Sequence, residues 1–136
     1  MAVQWLSNLH EALVSLSSAA QRKEVTLDGR VRTEGKVSWY GGSAWEGRKT
    51  ASGELFDDRQ LTAAAKDLPF GTLLRLSNAA GNRSVTVRVS DRFKGHKDRL
   101  LDISRAAAEF LGIKRCGIAD LTIEILGPMS RVGGNR

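Results

Sequence analysis

From Ser84 to Ser90 apolar and polar residues alternate, with Val85, Val87 and Val89 on one parity and Thr86 and Arg88 on the other. A period of two is the mark of a strand with one buried face. The same reasoning predicts strands over residues 35–40, Thr72 to Ser77 and Leu121 to Leu126, the last closed by Gly127-Pro128. A turn is expected around Ala80-Gly81-Asn82. Glu24 to Thr33 reads as a hairpin with Asp28-Gly29 at a two-residue turn, a register that sets Val25 and Leu27 beside Arg32 and Arg30. Leu6, Leu9, Leu13 and Leu16 recur at three- and four-residue steps, the spacing of one face of an amphipathic helix. Ser104 can cap a second helix from Arg105 to Leu111, with Gly112 as its stop. Thr62 to Lys66 favours helix but runs into Pro69, so one helical turn is the most it predicts. Arg48 to Asp58 has no clean period and reads as loop. Several short strands with one short helix predict a small β-barrel or an α+β sheet.

A chain of 136 residues fits one domain with one core. Its single cysteine, Cys116, excludes an internal disulfide framework and a multi-cysteine metal cluster, and the residue reads as structural. His10 and His96 are too far apart for a helical His pair, so structural zinc is not expected. No run approaches the ~18 apolar residues of a membrane span. Met1 to Gln21 has no Lys or Arg and no uninterrupted apolar stretch, unlike a secretory signal. By that reading the chain is either cytoplasmic or an excised piece of an exported protein. The helix of Leu6 to Leu16 carries no cation for a membrane surface, so it is expected to pack on the domain or on a protein partner. The net charge of +6 favours anionic partners, and its densest stretch runs from Arg88 to Arg99.

That stretch contains the first candidate for chemistry. Asp91 ends the row of Val85, Val87 and Val89, and an acid at the end of an apolar row is expected to be partly desolvated and protonated for longer. Such a group suits general-acid work near neutral pH, although a strand-end Asp also serves to bind turn amides or to pair with Arg92. Trp39, Tyr40 and Trp45 cluster beside Gly41 and Gly42, an arrangement that suits the C–H faces of sugar rings as well as an ordinary core rim. Glu46, Glu54, Asp57 and Asp58 lie in the same region as candidate second carboxylates, and spacing does not choose among them. The nucleophile elbow, the phosphate-binding loop and the dinucleotide fingerprint are all missing.

Six blocks occur in order: Gly35-Lys-Val-Ser-Trp-Tyr-Gly41, Gly47-Arg-Lys-Thr-Ala-Ser-Gly-Glu54, Leu61-Thr-Ala-Ala, Leu68-Pro-Phe-Gly-Thr72, Val87-Arg-Val-Ser-Asp-Arg92 and Leu101-Asp-Ile-Ser-Arg-Ala-Ala-Ala108. Together they resemble the rare lipoprotein A (RlpA-like) family of bacterial cell-wall proteins. The resemblance covers Gly35 to Leu126 and implies a mainly β fold, a six-stranded double-psi β-barrel with one or two short helices. The chain then divides into an N-terminal helix and hairpin over 1–33, the barrel over 34–127 and a flexible tail over 128–136. The implied activity is lytic transglycosylation of peptide-stripped peptidoglycan strands between N-acetylmuramic acid and N-acetylglucosamine, closing a 1,6-anhydro ring on the muramic acid. No metal or cofactor is implied, and the implied location is the periplasm or cell envelope.

The family's acids correspond to Asp91 and Glu54 as catalytic residues. Substrate contacts are expected from Trp39, Tyr40, Gly41, Trp45, Lys49, Ser52, Arg92 and His96. By that analogy Asp91 gives a proton to the glycosidic oxygen and takes one from the muramoyl 6-hydroxyl, while Glu54 steadies the cationic transition state. The sequence departs from the family at Ala65, where catalytic members usually carry His, and at Asp91-Arg-Phe-Lys-Gly-His96, where they carry Asp-Arg-Gly-Pro-Phe. A glycan-binding module without cleavage, as in expansins, is the alternative expectation. A true hydrolase would need a water between its carboxyls or a closer nucleophilic pair. Nucleic-acid binding rests on charge alone and is not expected.

Overall fold

A computed structural model describes residues 22–25, 30–93 and 99–128 of the chain. The helix expected over Leu6 to Leu16, the Asp28-Gly29 turn, His96 and the end of the chain past Pro128 lie outside the described residues.

Seven strands and one helix are described: β1 (Arg22–Val25), β2 (Val31–Tyr40), β3 (Thr62–Ala65), β4 (Thr72–Ser77), β5 (Ser84–Asp91), β6 (Arg99–Ser104), α1 (Arg105–Leu111) and β7 (Ile118–Pro128). Six of the strands pair in the order β2-β6-β3-β5-β4-β7, and β7 pairs again with β2, which closes a barrel. Two pairings are parallel, β2 with β6 and β3 with β5, and the other four around the ring are antiparallel. This is the mainly β, six-stranded barrel with a short helix that the family resemblance implies.

The core follows from alternation. Val85, Val87 and Val89 of β5, Leu74 and Leu76 of β4, and Leu121, Ile123 and Ile125 of β7 all point inward and are buried. Their exclusion from water is the main favourable term, about 1.5–3 kcal/mol for each fully buried large side chain. Ser104 caps α1 by accepting from Ala107 N, and Gly112 ends the helix in the left-handed region at φ 77°. Both ends therefore lie where the sequence set them.

Three elements differ from the sequence-based expectation. Thr62–Ala65 is a strand, not a helical turn, because it lies between β5 and β6 with both edges paired and all four residues buried. Pairing and burial outweigh the helix preference of three alanines. Arg99–Ser104 is a strand that the pattern does not announce, since Leu100 and Leu101 are adjacent and Asp102 interrupts them. The ladder with β2 absorbs the irregularity: Lys36 pairs with Arg99 and Val37 with Leu101, so Leu100 is skipped. Leu100 then covers Gly35, where an added Cβ would fall 2.2 Å from its Cδ1. Finally, β1 pairs Val25 with Val31 and Arg22 with Glu34, one residue out of the register of a two-residue turn. The alternation of β2 is held on its other edge by β7, where Val31 meets Ile125 and Thr33 meets Ile123.

Candidate active site

The end of β5 holds the first acid. Ala63 pairs with Val89 and Ala64 with Asp91, so the ladder skips Ser90 and the alternation of the strand breaks. A bulge of this kind re-aims the residue after it. Asp91 therefore does not continue the inward row of Val85, Val87 and Val89, as the sequence pattern predicts. Its carboxylate meets polar donors instead: Oδ1 accepts from Ala51 N at 2.9 Å and Arg92 N at 2.8 Å, and Oδ2 accepts from the Tyr40 hydroxyl at 3.2 Å.

Tyr40 is held from three sides. Its ring stacks on buried Phe56 with centroids 4.6 Å apart, and Trp45 meets it edge-on at 5.5 Å. Burial, then the carboxylates of Asp91 and Asp102, push the phenol well above its usual range, so it acts as a donor. Trp45 is 44% exposed, and the Arg48 guanidinium lies over its ring, 5.8 Å from the centroid. Trp39 does not join this cluster. As the neighbour of Tyr40 on a strand it points the other way, packs against the core and donates from Nε1 to Lys114 O at 3.0 Å.

The loop between β2 and β3 carries the second acid. It folds back on itself through Thr50 N to Glu54 O and Phe56 N to Arg48 O, with an isolated bridge between Lys49 and Leu55. The returning loop runs along β5, so that Ala51 meets Asp91, Ser52 N reaches Ser90 O and Glu54 meets Arg88. Arg88 grips Glu54 with both terminal nitrogens, Nη2 reaching Oε1 at 3.0 Å. Ser52 Oγ, bonded to Thr50 Oγ1, lies 3.4 Å from Glu54 Oε2. Lys49 is exposed. Gly41 has a packing role, because a Cβ there would fall 3.1 Å from Arg105 Cβ and 3.2 Å from Asp58 Cβ. Arg92 lays its guanidinium over Phe70, 3.9 Å from the ring centroid, and its Nη1 reaches the main-chain oxygens of Ala65 and Asp91.

Asp102 is the residue that sequence reasoning misses. Ala64 pairs with Asp91 on one side and with Asp102 on the other, and Asp102 pairs with Ser38 of β2. The row Asp91-Ala64-Asp102-Ser38 thus crosses four adjacent strands. Ser38 Oγ donates to Asp102 Oδ1 at 2.9 Å, and Arg99 Nη1 donates to Ser38 Oγ at 3.1 Å. Burial raises the Asp102 carboxyl above the usual range and the Asp91 charge adds to it, against the opposing pull of Ser38 and Arg99. The only signal in the sequence is an acid inside an apolar run, Leu100-Leu-Asp-Ile103.

Asp58 and its neighbours hold the loop rather than the cleft. Asp58 Oδ2 accepts from Gly42 N at 2.9 Å and Oδ1 from Arg105 at 3.1 Å, contacts that lower its carboxyl below the usual range. Glu46, Asp57 and Asp58 bring carboxylate oxygens within 4.8 Å of one another. Protein donors already occupy them: Asp58 N bonds to Glu46 and Arg59 to Asp57. Cys116 is exposed, not packed as a structural residue would be.

Residues 32–123 match the family model described as lytic transglycolase. The chain belongs to that family. Its relatives include the endolytic peptidoglycan transglycosylase RlpA of Neisseria meningitidis, 45% identical over 94 residues, a match that covers 69% of this chain and 39% of that one. The protein of the same name from Campylobacter jejuni is 40% identical over 102 residues, covering 75% of this chain and 37% of that one. The chain thus spans less than half the length of these curated relatives. Among solved structures the apo expansin of Clavibacter michiganensis aligns with TM-score 0.55 at 24% identity, over 70% of this chain and 50% of that one. The Streptomyces papain inhibitor aligns with TM-score 0.58 at 20% identity, over 70% of this chain and 94% of that one. These two likenesses bear on the fold alone. Among the described residues no helix is long and apolar enough to cross a membrane.

Proposed function

We propose that this domain is a lytic transglycosylase of peptidoglycan, acting on peptide-stripped glycan strands between N-acetylmuramic acid and N-acetylglucosamine. The observation that carries the reading is the Asp91 carboxylate, fixed by Tyr40 and two main-chain amides beside an exposed Trp45. Membership of the lytic transglycolase family and the names of the RlpA relatives support it. Trp45 and Tyr40 supply a ring face for the sugar, and Arg92 and Lys49 supply positive charge for the lactyl carboxylate of a peptide-free muramoyl residue. Asp91 takes the proton of the muramoyl 6-hydroxyl as that oxygen attacks C1, and the anhydro ring closes without water. Glu54, oriented by its two contacts with Arg88, steadies the positive charge that develops at C1. The proposed place of action is the cell envelope, and nucleic acid is not among the proposed partners.

Mass spectrometry of amidase-stripped strands incubated with the protein tests this. The expected products end in 1,6-anhydro-muramic acid, and Asp91→Asn abolishes them. Products one water heavier would make the domain a hydrolase.

One observation favours a second reading, a glycan-binding module that does not cleave. Ala65 is buried and has no group for proton transfer where the catalytic pattern carries His. Intact strands that co-sediment with the protein would support that reading over the first.

A further inference from the structure

Two arginines at the site are held by rings rather than by acids. Arg48 lies over Trp45, 5.8 Å from the ring centroid, and Arg92 lies over Phe70 at 3.9 Å. From these two ring-mounted guanidiniums, with Asp91 between them in the chain of contacts, we propose that the cleft reads two muramoyl carboxylates at once. Arg92 takes the carboxylate of the muramoyl residue being cut, and Arg48 takes that of the next muramoyl residue across the cut. The substrate is then a strand stripped of peptide at two successive muramoyl positions, an inference that rests on the transglycosylase reading and deepens it.

The contacts run in one row. From Arg48 they pass to Trp45 and on to Tyr40, whose hydroxyl bonds to Asp91. On the other side of Asp91, Arg92 follows it directly in sequence and covers Phe70. The two rings come from different loops. Trp45 is in the loop between β2 and β3, and Phe70 is in the loop between β3 and β4. Consecutive carbonyls at the end of β5 hold both loops, Val89 O accepting from Gly71 N and Ser90 O from Ser52 N. Phe70 is 42% exposed, so this second ring is open to solvent as Trp45 is.

The two guanidiniums also differ from the others in what they lack. Arg59, Arg75, Arg88 and Arg105 each pair with a carboxylate. Among the described residues Arg48 and Arg92 form no such pair. Arg92 Nη1 reaches the main-chain oxygens of Ala65 and Asp91 at 3.5 and 3.4 Å, and the charges of Asp67 and Asp91 act on it without ion-pair contact. A ring fixes the plane of a guanidinium but takes up none of its in-plane N–H groups, so the fork is aimed before an anion arrives. A carboxylate fits that fork through two parallel hydrogen bonds.

Every second sugar of the glycan is muramoyl and bears one lactyl carboxylate, which the amide bond to a stem peptide removes. A cut after a muramoyl residue leaves the next muramoyl residue one sugar beyond the cut. Arg92 adjoins Asp91, which has to reach the 6-hydroxyl of the first muramoyl residue. Arg48 is separated from Asp91 by two rings and matches the second.

The test uses four synthetic tetrasaccharides of two N-acetylglucosaminyl-N-acetylmuramic acid repeats. One has both lactyl carboxylates free, and the others carry a neutral carboxamide at the first muramoyl residue, at the second, or at both. The readout is kcat/KM where a chain is cut and Kd by calorimetry where it stays intact. Each carboxamide is expected to cost the wild type about tenfold, the scale of one charge-assisted contact. Arg92→Gln should abolish that penalty at the first position only, and Arg48→Gln at the second only. Phe70→Leu removes the ring under Arg92 and should weaken discrimination at the first position while leaving the second unchanged.

A wild type indifferent to both carboxamides would overturn the inference, and this series decides it even if a variant fails to fold. Folded arginine variants that lose equally on all four chains, or that become blind at the same position, would overturn it too. A wild type that binds the free chain without cutting it would sink the transglycosylase reading, while its Kd values across the four chains still judge the two carboxylate contacts. Neither binding nor cutting would sink both.

Discussion

Two aspartates on the same outer row live under opposite conditions. Three donors converge on Asp91, whereas Asp102 has one and is half-buried. The difference has a consequence for stability. Because folding raises the Asp102 carboxyl above its usual range, the unfolded chain releases that proton first as pH rises. Below the ordinary carboxylate range both states hold the proton and Asp102 contributes nothing to the pH dependence. Above it, the folded state loses stability until Asp102 itself ionises. Asp102→Asn removes this titration, so its stability relative to wild type should increase as pH rises from the ordinary carboxylate range until Asp102 itself ionises. Urea unfolding at a series of pH values reads the difference directly, and a flat difference would contradict it. For Asp58 the sign is reversed. Its carboxyl is lowered by Gly42 N and Arg105, so its contribution is present at neutral pH and disappears on acidification.

At the scale of elements, the sequence was legible wherever one local rule decided the outcome. The valine alternation of β5 gives its inward face, and Ser104 and Gly112 bracket α1 as written. Ser104 does more than cap: its hydroxyl donates to Gln60 O at 2.6 Å and lies 3.4 Å from Thr62 N, which ties α1 to the entry of β3. Ser104→Ala should therefore cost more than an isolated cap, about 1–2 kcal/mol in chemical denaturation. A change below a few tenths would show that the ties to β3 contribute nothing.

What the sequence hides are the features created by neighbours. Ala63 and Ala64 have no strand period of their own and become a strand because β5 and β6 pair on both sides. The skipped Ser90 and Leu100 each break a parity that the sequence shows as unbroken, and the first of these breaks turns Asp91 away from the valine row. Asp91, Tyr40, Trp45 and Glu54 were legible as candidates from their motifs. Asp102 was not, because its partnership with Asp91 exists only through Ala64.

At the scale of the molecule, closing the barrel with two parallel pairings brings the ends of distant strands to one place. Tyr40 from β2 and Asp91 from β5 are 51 positions apart in sequence and share a hydrogen bond. The loop from Gly41 to Leu61 joins them, lying on β5 through Ala51 and Ser52 and anchored to α1 through Asp58 and Arg105. The scaffold thus fixes Asp91 with main-chain amides and Glu54 with the Arg88 guanidinium, and the chemistry asked of it needs only proton transfer and ring contact.

In the proposed reaction the nucleophile at C1 is the substrate's own 6-hydroxyl and not water. Digesting peptide-stripped strands in heavy-oxygen water and weighing the new muramoyl ends tests it most directly. Anhydro ends that carry no label are expected. Ends bearing one heavy oxygen at C1 would contradict it and make the domain a hydrolase.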